Sequence, residues 1–93
     1  LTDAPLSGEK VIVDDGYVGA GYGLPTEGTL AAIQFFARQE GLLFDPVYSG
    51  KGLDGLINMV KQGFFDNTKD VVFLHTGGAA ALFAYETQLA ATE

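Results

Sequence analysis

The stretch VVFLHTGG, residues 71–78, constrains the fold more than any other part of the sequence. Four consecutive apolar residues lead into a histidine, a threonine and two glycines. An apolar run without polar alternation is typical of a strand covered on both faces, as in a parallel sheet. Because helices connect the strands of such sheets, the sequence predicts an α/β fold in which this strand delivers His75, Thr76 and the glycines to the start of a helix.

Three helices are predicted. The first begins at Pro25 and Thr26, has an acidic residue in its first turn, and stops at Gly41, which suits a left-handed C-terminal cap. The second runs from about residue 51 to residue 62, and the third is the alanine-rich stretch TGGAAALFAYETQLAA. The second helix has apolar side chains at the i, i+3, i+4 and i+7 positions, namely Leu53, Leu56, Ile57 and Val60.

Only one other segment, KVIVDD at residues 10–15, is typical of a strand, because its β-branched residues are followed by two aspartates. A sheet of two parallel strands is not stable alone. We therefore expect the 93 residues to be incomplete as a stand-alone domain, with further strands supplied by another part of the protein. The chain begins at Leu1 rather than at a methionine, which agrees with a fragment.

The composition excludes several classes of partner. A hydrophobic content of 47% predicts a buried core, and a formal charge of −7 argues against nucleic acid or an anionic membrane as partner. The absence of cysteine excludes disulfides and is compatible with the cytoplasm, where we expect the protein. No apolar run reaches the length of a membrane span. No metal is expected, because the carboxylates show no ligand spacing and there is one histidine.

Three segments have residue types suited to a ligand site. They are the glycine-rich loop GYVGAGYG with Tyr17 and Tyr22, the pair Tyr48 and Ser49, and the turn HTGG. Each also has a structural interpretation. The glycines can serve a tight turn, the tyrosines can fill clefts, and a serine before a helix is ordinarily an N-cap. The sequence YSGKG is not a nucleophile elbow, so a hydrolase is disfavoured.

Taken together, GAGYGLPTEGTLAAI, EGLLFDPVYSGKGLDGLI and VVFLHTGGAAALFAY resemble the carboxyl-terminal part of one family. This is the D-cysteine desulfhydrase and 1-aminocyclopropane-1-carboxylate deaminase family of fold-type II enzymes that depend on pyridoxal 5'-phosphate. The family is related to the β subunit of tryptophan synthase. The resemblance implies that residues 1–93 form the C-terminal part of the large, parallel-sheet cofactor domain.

The resemblance also assigns roles to residues. Tyr22 and Tyr48 are expected to face the cofactor and substrate as catalytic residues. Ser49 is expected near the pyridine nitrogen, where deaminases of the family have glutamate. Thr76 would be a second hydroxyl within reach of that nitrogen, and Gly77, with the glycine after it, would let the backbone approach the cofactor. Neutral hydroxyls at both positions favour elimination over opening of a cyclopropane ring.

The implied function is therefore a lyase that carries out β-elimination on a small amino acid such as D-cysteine or L-cysteate. The alternatives are a 1-aminocyclopropane-1-carboxylate deaminase and a non-catalytic fragment or binding module that keeps the fold. The Schiff-base lysine of the family belongs to amino-terminal segments outside this chain, and Lys51 aligns with a different lysine. We accordingly expect a companion chain with those segments, and a homodimer of the whole enzyme.

Overall fold

The computed structural model describes residues 11–90, which form three α-helices and one 3₁₀ helix. Helix α1 is Glu27–Glu40 and helix α2 is Ser49–Lys61. The 3₁₀ helix is Ala79–Tyr85, and helix α3, Glu86–Ala90, follows it directly. Within this part of the chain, no helix is both long enough and apolar enough to cross a membrane.

Helix α1 begins and ends as the sequence predicts. The Thr26 hydroxyl accepts a hydrogen bond from the Thr29 N–H at 3.1 Å and donates one to the Thr29 hydroxyl at 2.8 Å. At the other end Gly41 has a φ of 66°, and its N–H bonds the carbonyl of Ala37. Both caps satisfy backbone groups that a helix end otherwise leaves without partners.

Helix α2 begins at Ser49, two residues before the predicted start. The earlier start follows from hydrogen bonds that the preceding Asp45 makes to the first turn. Within the predicted apolar stripe, Leu53 is buried and the next two members lie against the core, whereas Val60 is 54% exposed. The stripe therefore correctly predicts the buried face of the first two turns and is wrong at its last member.

The core lies where α1 packs against α2 and is closed by side chains from later segments. Phe44, just before α2, is 2% exposed, and its ring contacts Phe36 of α1 and Phe73 edge to face. Rings in this arrangement add to the free energy gained from area burial alone. The buried cluster comprises Ala32, Ile33, Phe44 and Leu53, and the partly buried side chains around it are Phe36, Leu56, Ile57, Phe73, Leu82 and Leu89.

The two predicted strands are not formed in residues 11–90. Residues 11–13 are exposed, and Lys10 of the first predicted strand lies outside the described residues. In the second, Phe73 faces the core, whereas Val72 is 92% and Leu74 80% exposed. A strand needs a neighbour for its N–H and C=O groups, and this part of the chain offers none. For the chain by itself both strand predictions are wrong, and the parallel sheet stays a prediction.

The third predicted helix is also corrected. Residues 76–78 are not helical, and the alanine-rich segment forms a 3₁₀ helix before α3 begins at Glu86. Gly77 and Gly78 have φ values of 99° and 89°, which are not helical. Helix propensity supports a long helix mainly when a face is buried against other elements, and neither segment has a fully buried residue.

We predict that Thr26→Ala lowers the free energy of unfolding by about 1 kcal/mol, because it leaves the Thr29 N–H without its cap. Urea denaturation of the intact protein measures this change. Thr26→Ser is the matched control, since it keeps the capping hydroxyl. Equal losses in both variants would mean that the methyl group, not the cap, provides the stability.

Candidate functional site

A buried carboxylate organises the start of α2. Asp45 is 1% exposed, and its Oδ2 accepts the N–H groups of Val47 at 2.9 Å and Tyr48 at 2.7 Å. Its Oδ1 accepts the N–H of Ser49 at 2.9 Å and the Ser49 hydroxyl at 2.5 Å. The Ser49 hydroxyl in turn accepts the N–H of Asp45 at 3.0 Å. One carboxylate therefore satisfies the first free N–H groups of the helix and sets the backbone at Tyr48 and Ser49.

These contacts keep Asp45 ionised. Burial by itself would raise the pKa of Asp45, but hydrogen bonds from the Ser49 hydroxyl and from the amides of Tyr48, Ser49 and Val47 lower it below the ordinary 3.8. The positive end of the α2 dipole favours the same charge state. The group is consequently a fixed negative charge at the base of the candidate site.

The turn after residue 75 lies against the same carboxylate. A Cβ placed on Gly78 would stand 2.8 Å from Asp45 Oδ1, closer than side-chain atoms approach one another, so only glycine fits there. A Cβ on Gly77 would meet no heavy atom within 4 Å. The Gly77 backbone and the exposed Thr76 therefore border open space. The residue that follows them, Gly78, lies close to Asp45.

His75 fixes the entrance to this turn. Its ring stacks on Phe44 with centroids 4.5 Å apart, and Nε2 lies 2.7 Å from the Leu43 carbonyl oxygen. Nδ1 accepts the N–H of Gly77 at 3.1 Å. Because Nδ1 accepts this N–H, Nε2 is the ring nitrogen placed to donate to the Leu43 carbonyl.

Tyr22 and Tyr48 come together although 26 residues separate them in sequence. Their hydroxyls share a hydrogen bond, and their rings meet edge to face with centroids 5.8 Å apart. Both side chains are exposed, at 77% and 61%. The hydrogen bond with Tyr22 raises the pKa of Tyr48 above its ordinary 10.0, and the charge of Asp45 contributes in the same direction. The Tyr48 phenol is thus protonated at neutral pH.

Side chains from two later segments hold the loop with Tyr22. The Lys51 ammonium group donates to the carbonyl oxygens of Val18 at 2.6 Å and Gly21 at 3.2 Å. The Tyr85 hydroxyl donates to the carbonyl oxygen of Gly23 at 2.7 Å. The glycine-rich loop is therefore attached both to α2 and to the 3₁₀ helix.

The structure places the five predicted site residues around the start of α2. It brings Tyr22 and Tyr48 into contact, and it places Ser49 beside Asp45, on which the glycine turn also rests. The Ser49 side chain is 5% exposed and bonded to Asp45, so its hydroxyl is already engaged. The predicted roles of these residues stay predictions.

Sequence reasoning missed three residues of this arrangement. Asp45 does not stand out among the carboxylates by metal-ligand spacing. Its position before a proline and four residues ahead of a serine is typical of a turn that caps a helix, and that signal could have found it. No local signal identifies the long-range partners of Lys51 and Tyr85.

A cavity of about 460 Å³ lies beside Tyr48. Its lining is mainly apolar, and Tyr48 is the only one of the five predicted site residues among those that line it. This cavity is therefore not where the predicted residues converge. Tyr22 and Tyr48 meet through their exposed hydroxyls, whereas Thr76 and Gly77 lie in the open glycine turn.

Residues 2–77 match the sequence profile of the pyridoxal-phosphate dependent enzymes. This is more than half of the 93 residues. The chain belongs to this family. The resemblance found in the sequence is thereby confirmed, and membership implies an α/β fold, to which residues 11–90 contribute helices.

Relatives of both expected kinds are similar to this member of the family. A D-cysteine desulfhydrase of Serratia proteamaculans is 55% identical over 75 residues, covering 81% of this chain and 23% of the relative. A 1-aminocyclopropane-1-carboxylate deaminase of Burkholderia vietnamiensis is 48% identical over 81 residues, which cover 87% of this chain and 24% of the relative. A D-cysteine desulfhydrase of Yersinia pestis is 46% identical over 89 residues, which cover 96% of this chain and 26% of the relative. The chain spans about a quarter of the length of these curated relatives.

The described residues of this pyridoxal-phosphate family member fit one side of the cofactor. The space beside Gly77 that a Cβ would occupy is open, so a flat ring can approach the backbone. The adjacent Thr76 offers an exposed neutral hydroxyl, and the Tyr22–Tyr48 pair offers two more. These groups suit a polar aromatic ligand that needs hydrogen-bond donors.

We predict that Asp45→Asn lowers the free energy of unfolding at pH 7 by about 2 kcal/mol, since charge-assisted hydrogen bonds to the helix start are lost. Because the folded-state pKa of Asp45 is lowered, its contribution is complete above the ordinary 3.8 and is lost as the pH falls through the lower folded-state value.

Urea denaturation between pH 2 and 7 measures both effects, with Asp54→Asn, in the middle of α2, as the control. The difference in unfolding free energy between wild type and Asp45→Asn should shrink at acid pH. A difference that is constant with pH would contradict an ionised Asp45.

Proposed function

We propose that this chain forms one wall of the active site of a pyridoxal-phosphate dependent lyase that catalyses β-elimination from a small amino acid. D-cysteine is the first candidate substrate, and L-cysteate, with sulfite as leaving group, is the second. The observation that carries the proposal is the exposed hydrogen bond between the hydroxyls of Tyr22 and Tyr48 in a member of this family. The name of the 55% identical relative supports D-cysteine.

The tyrosine pair is suited to holding and donating a proton. In a hydrogen bond between two hydroxyls, only one proton lies between the oxygens, so the second is directed elsewhere. Because the pKa of Tyr48 is raised, its hydroxyl stays protonated at neutral pH and acts as a donor rather than a base. We assign to it the orientation of the substrate and the delivery of a proton to the departing sulfur group.

When bound, pyridoxal phosphate supplies an electron sink for the negative charge left after removal of a proton from the substrate. We assign to Thr76 the hydrogen bond to its ring nitrogen and to Gly77 the close backbone approach. Ser49 has the smaller part, because its hydroxyl proton is directed to Asp45. When its ring nitrogen bonds a neutral hydroxyl, the cofactor is a weaker electron sink than when that nitrogen bonds a carboxylate. A weaker sink suits the loss of a good leaving group.

A 1-aminocyclopropane-1-carboxylate deaminase is the second candidate, and the 48% identical relative with that name favours it. Turnover of D-cysteine and of 1-aminocyclopropane-1-carboxylate by the intact enzyme distinguishes the two. Hydrogen sulfide release without ammonia release from the cyclopropane substrate supports the lyase, and the reverse pattern supports the deaminase.

The rest of the assembly is part of the same proposal. We assign the 93 residues to the C-terminal part of the large cofactor domain. Segments outside this chain, on a companion chain or on the same polypeptide, would contribute the Schiff-base lysine and the strands that pair with residues 71–75. The homodimer and the cytoplasmic location stay predictions.

We predict that Tyr48→Phe lowers kcat for D-cysteine elimination by about a hundredfold with the cofactor retained, because a positioned proton donor is lost. Hydrogen sulfide release measures kcat, and visible absorbance measures bound cofactor. Tyr17→Phe is the matched control, since Tyr17 lies on the same glycine-rich loop as Tyr22 with its ring against Gly55. Unchanged kcat in Tyr48→Phe would remove this residue from the chemistry.

We also predict that Thr76→Val lowers kcat about fivefold and shifts the absorption maximum of the bound cofactor, because one hydrogen bond to the ring nitrogen is lost. Thr76→Ser keeps the hydroxyl and should resemble the wild type. A Thr76→Val enzyme with unaltered spectrum and kcat would refute this assignment. Thr76 is a better position than Ser49 for this test, because Ser49 is buried and its hydroxyl is bonded to Asp45. A larger or charged side chain at position 49 would be buried against that carboxylate.

A further inference from the structure

The loop with Tyr22 has little support of its own. It contains four glycines between residues 16 and 23, and Gly19 and Gly23 have φ values of 75° and 74°. The Tyr22 side chain is 77% exposed, so packing cannot fix its position. A loop of this composition has many accessible conformations. Contacts from other segments must therefore hold the Tyr22 hydroxyl at Tyr48.

Lys51 provides the first of these contacts. The residue is 9% exposed, and both hydrogen-bond acceptors of its ammonium group are backbone carbonyl oxygens of the loop. Burying an ammonium group costs free energy unless its N–H groups are bonded, so these contacts are strongly favoured over an open loop. One acceptor is Gly21, the residue immediately before Tyr22.

Tyr85 provides the second contact, from the opposite direction along the chain. Its hydroxyl donates to the carbonyl oxygen of Gly23, the residue immediately after Tyr22. The bond joins residues 62 positions apart, so it forms only when the 3₁₀ helix is in place. The carbonyls on both sides of Tyr22 are thus each bonded to a side chain from a different element.

We propose that Lys51 and Tyr85 are positioning residues that clamp the backbone on either side of Tyr22 and so hold its hydroxyl against that of Tyr48. The inference rests on the proposed function in one respect, that the tyrosine pair acts in catalysis. The geometry of the clamp itself is independent of that role. Lys51 lies three residues after Tyr48, so α2 fixes one tyrosine directly and the other through the ammonium group.

The test uses the intact enzyme with bound cofactor and D-cysteine as substrate. Lys51→Met removes the ammonium group but keeps an unbranched apolar stem, and Tyr85→Phe removes a single oxygen. Tyr17→Phe again serves as the control. We would measure kcat and KM, and follow the ionisation of Tyr48 by NMR of isotope-labelled tyrosine, with its resonance assigned from Tyr48→Phe.

Each clamp variant should lower kcat by about tenfold or more, since small misplacements of catalytic groups are costly. In Lys51→Met/Tyr22→Phe, kcat should equal that of Tyr22→Phe alone. Release of Tyr22 should also bring the pKa of Tyr48 down towards its ordinary value, because the hydrogen bond that raises it is broken. Tyr17→Phe should change none of these quantities.

The titration separates failure of the clamp from failure of the proposed function. A Tyr48 titration that is unchanged in both clamp variants overturns the inference, even if kcat falls. A wild-type kcat in Tyr22→Phe refutes the catalytic role of Tyr22, and a lowered Tyr48 pKa in the clamp variants then still supports the clamp.

Discussion

The arrangement of the site depends on one ionised carboxylate in a place where water does not reach it. Asp45 bonds the first N–H groups of α2, holds the Ser49 hydroxyl, and sets the closest approach of Gly78. Desolvation works against the charge, and the hydrogen bonds outweigh it. Through these bonds a helix end and a side-chain hydroxyl share one reference point, and Gly78 of the distant turn lies close to the same carboxylate.

The tyrosine pair shows how an exposed site can still be well defined. Neither ring is buried, yet each is attached to a segment whose backbone is held elsewhere. Tyr48 is held by a helix start, and Tyr22 by bonds to the neighbouring carbonyls. The exposed hydroxyls remain accessible to a ligand, while the ordering of the loop is achieved on folding rather than on binding.

The sequence predicts the parts of this fold that depend on local chemistry. Thr26 and Gly41 mark the ends of α1 because capping and positive φ are properties of single residues. The lack of strands in residues 11–90 could not be predicted, because an apolar run such as residues 71–75 indicates burial but does not specify its partner. Within the site, the resemblance identifies Tyr22 and Tyr48, whereas Lys51 and Tyr85 act through backbone carbonyls, which have no side-chain signature.

His75 affects how residues 72–75 align against Phe44. Side chains of residues 72–75 point alternately towards and away from Phe44, so a slip by one residue would exchange the two sets. The His75 imidazole stacks on Phe44 and is hydrogen-bonded to Leu43 and Gly77. If the segment slipped by one residue and placed Leu74 there, these hydrogen bonds would be lost, because leucine has no ring nitrogens. His75 therefore fixes the alignment of residues 72–75 against Phe44. It thereby determines that Thr76 is the residue whose hydroxyl lies at the open edge of the turn.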